Sequence, residues 1–329
     1  MDIDTKRIPF LLEGKKVLVC SFGDMVRSSL TAKLEEMGCT VIDAGRKNLD
    51  LANQDDVFAF FKKHSPDAVF ALETKFGGKY ASQTMPAELL YRNLMMAGNV
   101  IEAAYNAEVQ KLLFMGYTSV YPKDAEQPMR EDSLLTGPFE SVNEPYAVAS
   151  LCGLKLCQFY RKQFGCDFIS VMATNVFGPQ DNFDLTYGGV IPSLIHRAYE
   201  AKMTNKQELE VWGSGTPRRE FIYADDLADA LIFLMERYSD SLPLNVGTGE
   251  GATIAEIVEK IKDVVGFDGT VNYDTSKPDG MPVKVSDISK IKALGWEPKI
   301  SLLEGIRKTY DWFGKNYESI ASQTQGVPE

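Results

Sequence analysis

The stretch KVLVCSFGDMVRSSLTAKLEEMGC, Lys16 to Cys39, decides the fold. An apolar run with β-branched residues (Val17, Leu18, Val19) reads as a buried strand, and Met25, Leu30 and Leu34 then recur at helical spacing before a stop at Gly38. A dinucleotide-binding βαβ unit opens this way. Such a unit takes glycine at three places: to turn tightly, to let a pyrophosphate approach the backbone, and to pack helix on strand. Here Ser21, Asp24 and Arg27 occupy those places.

Outward from this unit, TVIDAG (Thr40–Gly45) reads as a second strand and QDDVFAFFKKH (Gln54–His64) as a helix, while DAVFAL and KLLFMG supply further strands. Long helices from about Pro86 to Ala107 and from about Glu144 to Phe164 separate later strands, among them FISVMATN (Phe168–Asn175). The alternation predicts an α/β fold, a Rossmann-like doubly wound parallel sheet. From Gly178 the pattern loosens into short strands such as LEVW and PLNVG, with helices near Ala224–Tyr238, Ile254–Val265 and Leu302–Tyr317. This part reads as a smaller α/β C-terminal substrate lobe. The expected division is an N-terminal extension at 1–14, a Rossmann-like domain at 15–177, a substrate lobe at 178–317 with the chain crossing between lobes, and a tail at 318–329, whose polar end ASQTQGVPE (321–329) reads as frayed. A ligand would lie in the cleft between the lobes.

Composition narrows the function. The 329 residues, 44% of them hydrophobic, suffice for a large core. A net charge of -11 without a Lys/Arg run excludes a nucleic-acid surface. Cys20, Cys39, Cys152, Cys157 and Cys166 form no CxxC pair and read as reduced core thiols, so no metal site is expected. The charged N-terminus reads as neither signal peptide nor anchor, and no segment reaches the roughly 20 apolar residues of a membrane helix. The expected location is the cytoplasm.

The phrases LLFMGYTSVYPK, NEPYAVAS, TNVFGPQDNF, VWGSGTPRREFIYADDLADAL, LNVGTG and SKPDG stand in order along the chain. With them the sequence resembles the GDP-L-fucose synthase family of extended short-chain dehydrogenases/reductases, from about Lys15 to Tyr317. The resemblance implies a site that epimerises GDP-4-keto-6-deoxymannose at C3 and C5 and reduces its C4 ketone with NADPH. It also implies a serine that polarises the ketone, a cysteine and a histidine for the epimerisations, and a tyrosine followed four residues later by a lysine that lowers the tyrosine pKa.

Matched residue by residue, Tyr117 takes the serine's place, Ser119 the cysteine's and Gly189 the histidine's. The tyrosine is present as Tyr146, but Ser150 takes the place of the lysine, and without that charge a phenol keeps its ordinary pKa of about 10. The histidines, His64 and His196, read as solvated or capping residues. On the cofactor side, Asp24 and Glu73 set carboxylates against a pyrophosphate. Arg27, three residues from Asp24 on one helical face, reads as its ion-pair partner. Asp43 occupies the ribose-binding place, and Arg46 matches the family residue that meets the NADP 2′-phosphate. The resemblance gives Arg197 and Arg219 the diphosphate, places Asn175 and Trp212 near the sugar and base, and keeps Lys277 in the SKPDG loop.

The expectation drawn from these residues is a catalytically degenerate homologue that binds no cofactor. It would serve as a structural or regulatory subunit with a nucleotide sugar as its candidate ligand. The alternative is an active NADP(H)-dependent nucleotide-sugar epimerase/reductase making GDP-L-fucose or a related deoxysugar. Apolar residues on the two long helices, Leu89, Leu90, Leu94, Val100 and Ile101 on the first and Val148, Leu151, Leu154 and Leu156 on the second, suggest a four-helix interface. It would join a homodimer, or a heterodimer with an active relative.

Overall fold

The structure, a computed structural model, describes residues 9–21, 23–45, 48–72, 82–277 and 279–324. Its first half alternates β1 (Lys16–Ser21), α1 (Asp24–Glu36), β2 (Thr40–Gly45), α2 (Gln54–His64), β3 (Ala68–Ala71), α3 (Pro86–Asn106), β4 (Lys111–Tyr117), α4 (Glu144–Phe164) and β5 (Phe168–Ala173). The second half adds β6 (Asn175–Phe177), α5 (Val190–Met203), β7 (Glu208–Trp212), β8 (Arg218–Tyr223), α6 (Ala224–Arg237), β9 (Leu244–Val246), β10 (Gly251–Thr253), α7 (Ile254–Val265), β11 (Thr270–Asp274), β12 (Val283–Lys284), α8 (Ser289–Ala293) and α9 (Leu302–Thr324).

Six strands form one sheet in the order β2-β1-β3-β4-β5-β9, every pair parallel. Both faces of this sheet are buried, so its strands are continuously apolar, and their period of two sends alternate residues to opposite layers. Val17 and Val19 pack with Leu30 and Leu34 of α1 and Leu227 and Leu231 of α6. Leu18 and Cys20 pack with Phe61 of α2, Val100 of α3 and Leu154 of α4. A third core, under Phe177, Ile195, Ile257 and Phe313, belongs to the second lobe.

That lobe pairs β8 with β6 and β12 in parallel and with β10 antiparallel, and sets β11 beside β7. The crossing between lobes is made by α6 and β9: the PLNVG strand completes the first sheet. The run Phe168–Asn175 divides at Thr174, whose hydroxyl turns to the Glu220 carbonyl, so that Asn175 begins a strand of the other lobe. The last helix runs to Thr324, past the tail bound at 318 and into the segment from Ala321 expected to fray. It continues because Phe313, Tyr317 and Ile320 keep helical spacing and belong to the core of the second lobe.

The two lobes meet at Glu220 on β8, which is fully buried. Its Oε1 accepts from the backbone N–H groups of Thr248 and Gly249, and its Oε2 from the N–H and hydroxyl of Ser286, all at 2.7 Å. A Cβ on Gly247 would stand 2.2 Å from Oε1, so glycine is what lets the LNVGTG strand end against the carboxylate. Burial pushes this carboxyl up and the four donors pull it back. Beside it Asn245, also fully buried, accepts from the Tyr121 hydroxyl at 2.7 Å and donates to the carbonyls of Met129 and Asp287.

Substituting Glu220→Ala leaves four donors without a partner and should cost about 3 kcal/mol of unfolding free energy. Urea denaturation should show a larger loss for this variant than for Glu220→Gln, which keeps an acceptor in place.

Candidate functional site

The first part of the site lies at the C-terminal ends of β1 and β2. Ser21 is buried and its hydroxyl donates to the Gly23 carbonyl at 2.9 Å, folding the side chain back into the turn. Gly23 is the N-cap of α1; it makes no side-chain cap bond, and a Cβ there would meet nothing within 4 Å. Asp24 is bound by Arg27, as the spacing suggested, but Arg27 also binds Asp43. One guanidinium therefore joins the first turn of α1 to the end of β2. The Oδ1 of Asp43 meanwhile accepts from the Gly45 N–H at 2.9 Å. Glu73 and Arg46 lie outside the described residues.

The second part lies where β4 runs into α4. Tyr146, third residue of α4, is buried, with its ring centroid 5.6 Å from that of Tyr117. Ser150 is buried one helical turn on, and its Oγ accepts from the Tyr117 N–H at 3.4 Å. A Cβ on Gly116 would sit 2.6 Å from that oxygen, so glycine and serine close the gap between helix and strand together. The Ser119 Oγ is buried and has no hydrogen-bond partner among the described residues.

The third part belongs to the second lobe. Arg197 of α5 lies 4.8 Å over the Trp212 ring, and the Lys277 ammonium stands 5.7 Å from the same ring. Trp212 itself is 51% exposed, a large aromatic face offered to solvent between two cations. Arg197 donates to the Leu185 carbonyl at 2.9 Å, and Arg219 to the Met281 carbonyl at 2.6 Å. Neither guanidinium has a carboxylate in ion-pair contact among the described residues, and burial pushes both below the ordinary arginine range. Glu210, which accepts from Trp212 Nε1 at 3.1 Å, acts on Arg197 from a distance, as Glu140 and Asp279 act on Arg219, and the guanidinium donors not held by carbonyls can take an anion. Asn175 donates to the Glu220 carbonyl at 2.8 Å. Gly189 is the N-cap of α5.

His196 does not have the solvated or capping role expected of it. It is 1% exposed, and its Nδ1 donates to the Phe183 carbonyl at 2.8 Å, holding the loop before α5. His64 stacks on Phe60 with ring centroids 4.3 Å apart. Sequence reasoning missed Ser119 as a hydroxyl left unpartnered, and it missed Glu220, whose one legible signal was an acid among the apolar residues of a strand.

Together, a doubly wound parallel sheet, a tyrosine at the head of α4 and a second lobe packed on the first define a Rossmann-like protein of the extended short-chain dehydrogenase/reductase class. The chain belongs to the NAD dependent epimerase/dehydratase family, which matches residues 24–247. It is 47% identical over 307 residues to the GDP-L-fucose synthase of Sinorhizobium fredii, covering 93% of this chain and 98% of that one. Among solved structures it is similar to a GDP-L-fucose synthetase from Naegleria fowleri bound to NADP, with a TM-score of 0.86 and 29% identity over 95% of this chain and 98% of that one. It is likewise similar to a GDP-mannoheptose C4 reductase from Campylobacter jejuni with NADP bound, with a TM-score of 0.82 and 31% identity over 92% and 98% of the two chains.

These relatives overturn the expectation of a degenerate subunit that is not an enzyme and binds no cofactor: a protein nearly half identical is named a synthase, and two solved relatives hold NADP. That expectation counted the altered residues one by one. On the cofactor side the structure shows that Asp24 does not stand alone at the first turn of α1, because Arg27 binds it, and that the space beside Gly23 is open. The residues present fit a dinucleotide.

Replacing Arg197 by Ala removes a cation from the Trp212 face while leaving the fold's main cores untouched. Calorimetric titration with GDP should show affinity weakened about tenfold or more, and the difference should shrink at high salt.

Proposed function

We propose that the chain is an NADP(H)-linked reductase of a GDP-linked 4-keto sugar. The observation that carries this reading is the cluster of Arg197, Trp212 and Lys277, which offers an aromatic face between two cations to a nucleoside diphosphate. The names of the relatives, each a GDP-sugar enzyme, support the same substrate class.

Gly23, Arg27 and Asp43 would hold the adenosine end of the cofactor. When bound, the nicotinamide supplies the hydride that reduces the ketone. The chain's own residues supply the proton and the polarisation. Tyr146 is the acid: reduction calls for a protonated phenol, which is the ordinary state of tyrosine at neutral pH. Its place in the first turn of a 21-residue helix favours the negative charge left when the proton goes, by about 0.3–1 kcal/mol. The Ser119 hydroxyl, buried and without a partner among the described residues, is the donor available to polarise the ketone oxygen.

Two epimerisations would need a further acid and base, and in the resemblance these are the cysteine and histidine replaced by Ser119 and Gly189. A second reading, with both epimerisations and the reduction making GDP-L-fucose, is favoured by the name of the relative at 47% identity. Five free cysteines, three of them partly exposed, suit a reducing compartment, and we place the protein in the cytoplasm. Among the described residues no helix is long and apolar enough to cross a membrane.

We also propose a homodimer through α3 and α4. Tyr91 is 64% and Phe159 58% exposed, and a groove of about 430 Å³ between the helices is lined by Leu94, Met95, Gly98, Leu156 and Tyr160. A second copy of the same helix pair would cover these side chains in a four-helix arrangement. Sedimentation at micromolar concentration should give twice the chain mass, and Phe159→Asp together with Tyr91→Asp should give the monomer.

Purified protein with GDP-4-keto-6-deoxymannose should oxidise NADPH, with turnover falling about a hundredfold or more in Tyr146→Phe and about tenfold or more in Ser119→Ala. Run in deuterated water, the reductase reading expects no deuterium at C3 or C5 of the product, and the epimerase reading expects it at both. No NADPH oxidation with any GDP-4-keto sugar would remove the proposal.

A further inference from the structure

We propose that Asp184 positions Arg197 for a nucleoside diphosphate, by gripping the opposite end of the peptide unit to which the guanidinium is bonded. The inference rests on the GDP-linked reading above and gives a role to the residue that follows directly on the TNVFGPQDNF phrase.

The segment from Gly178 to Gly189 joins β6 to α5. Phe183 anchors it: the side chain is buried, its ring centroid lies 4.8 Å from that of Phe313, and its carbonyl accepts from His196 Nδ1 at 2.8 Å. The chain then turns around Asp184, whose Oδ1 accepts from the N–H groups of Thr186 and Tyr187, both at 2.7 Å. The Thr186 N–H and the Leu185 carbonyl belong to one peptide unit, and in a planar trans unit they point in opposite directions. By holding the N–H, the carboxylate aims the Leu185 carbonyl at α5, where Arg197 Nη2 donates to it at 2.9 Å. A charged acceptor on the N–H also polarises the unit and makes its carbonyl the better acceptor.

The turn is closed on both sides. Asn182 Oδ1 accepts from the Asp184 N–H at 3.0 Å, and its Nδ2 donates to the Tyr187 carbonyl at 3.3 Å. The Gly188 N–H donates to the Asp184 carbonyl at 3.0 Å, and a Cβ on Gly188 would stand 2.3 Å from that oxygen, so the closure takes glycine. Arg197 is thereby held from two directions, by the Leu185 carbonyl and by the Trp212 ring, and Trp212 is tied in turn to Glu210 on its own strand. A long side chain restrained before its ligand arrives has less freedom to lose on binding.

The test is calorimetric titration of GDP and, separately, NADPH into the wild-type chain, Asp184→Ala, Asp184→Asn, Arg197→Ala and the double variant Asp184→Ala with Arg197→Ala, with thermal unfolding to confirm that each is folded. Asp184→Ala should bind GDP about fivefold or more weakly and NADPH as wild type does. Asp184→Asn, which keeps an acceptor for the two N–H groups, should recover most of that loss. In the Arg197→Ala background the same Asp184→Ala change should shift GDP affinity by less than about twofold, because a residue that acts through Arg197 has nothing left to position. Should Asp184→Ala unfold, Asp184→Glu takes its place with the same expected loss, since it keeps the charge and displaces the acceptor. Unchanged GDP affinity in Asp184→Ala, losses that add in the double variant, a parallel fall in NADPH affinity, or tighter GDP binding in Asp184→Asn, as removal of a repelling charge would give, would each overturn the inference and leave the GDP-linked reading standing. A wild-type chain that binds no GDP would overturn both.

Discussion

The buried carboxylate of Glu220 is the constraint on which the arrangement of the two lobes depends. It sits on β8, the central strand of the second lobe, and its four donors come from the end of β9 in the first sheet and from the segment after β12. Removing an ionised group from water costs several kcal/mol, which only close, well-directed donors recover. That requirement fixes the approach of the LNVGTG strand, makes Gly247 obligatory and holds the Ser286 segment against both sheets. Asn245 and Tyr121 extend the junction to the loop after β4, which begins with the proposed catalytic turn.

The altered residues of the site fall into coupled sets. Arg27 stands at a glycine position, and there it meets both Asp24 and Asp43 and offsets part of the charge that would oppose a phosphate. Ser150 stands where a lysine would be expected, and it packs on Gly116 and accepts from the Tyr117 backbone. Both sets exchange a backbone or point-charge device for a side-chain one. Read singly they look like losses; read together they are bonded sets, each joining a helix to a strand.

Much of the fold was legible because period and punctuation are local. The helices Gln54–His64, Glu144–Phe164 and Ile254–Val265 and the strand Thr40–Gly45 stand where their apolar spacing and flanking Asn, Gly and Thr put them. The limits of the last helix were less legible, because Ile320 is held by the second core and not by its neighbours in sequence. In the site, the Asp24–Arg27 pair could be foreseen since it lies within one helical turn. The Arg27–Asp43 bond, the isolation of the Ser119 hydroxyl and the burial of His196 could not, since each depends on an element distant in the chain.

By itself, then, the sequence determined the order of strands and helices, the alternation that buries both faces of the sheet, and the residue types at each expected site position, all of which follow from spacing along one chain. What only the tertiary structure decided is which of those residues meet: that the acid at the end of β2 faces an arginine and its own backbone, that Trp212 lies between Arg197 and Lys277, and that Glu220 joins the lobes. The physical reason is that charge, hydrogen bonding and desolvation act through space, so the same side chain is a liability or a binding group according to what the fold sets beside it.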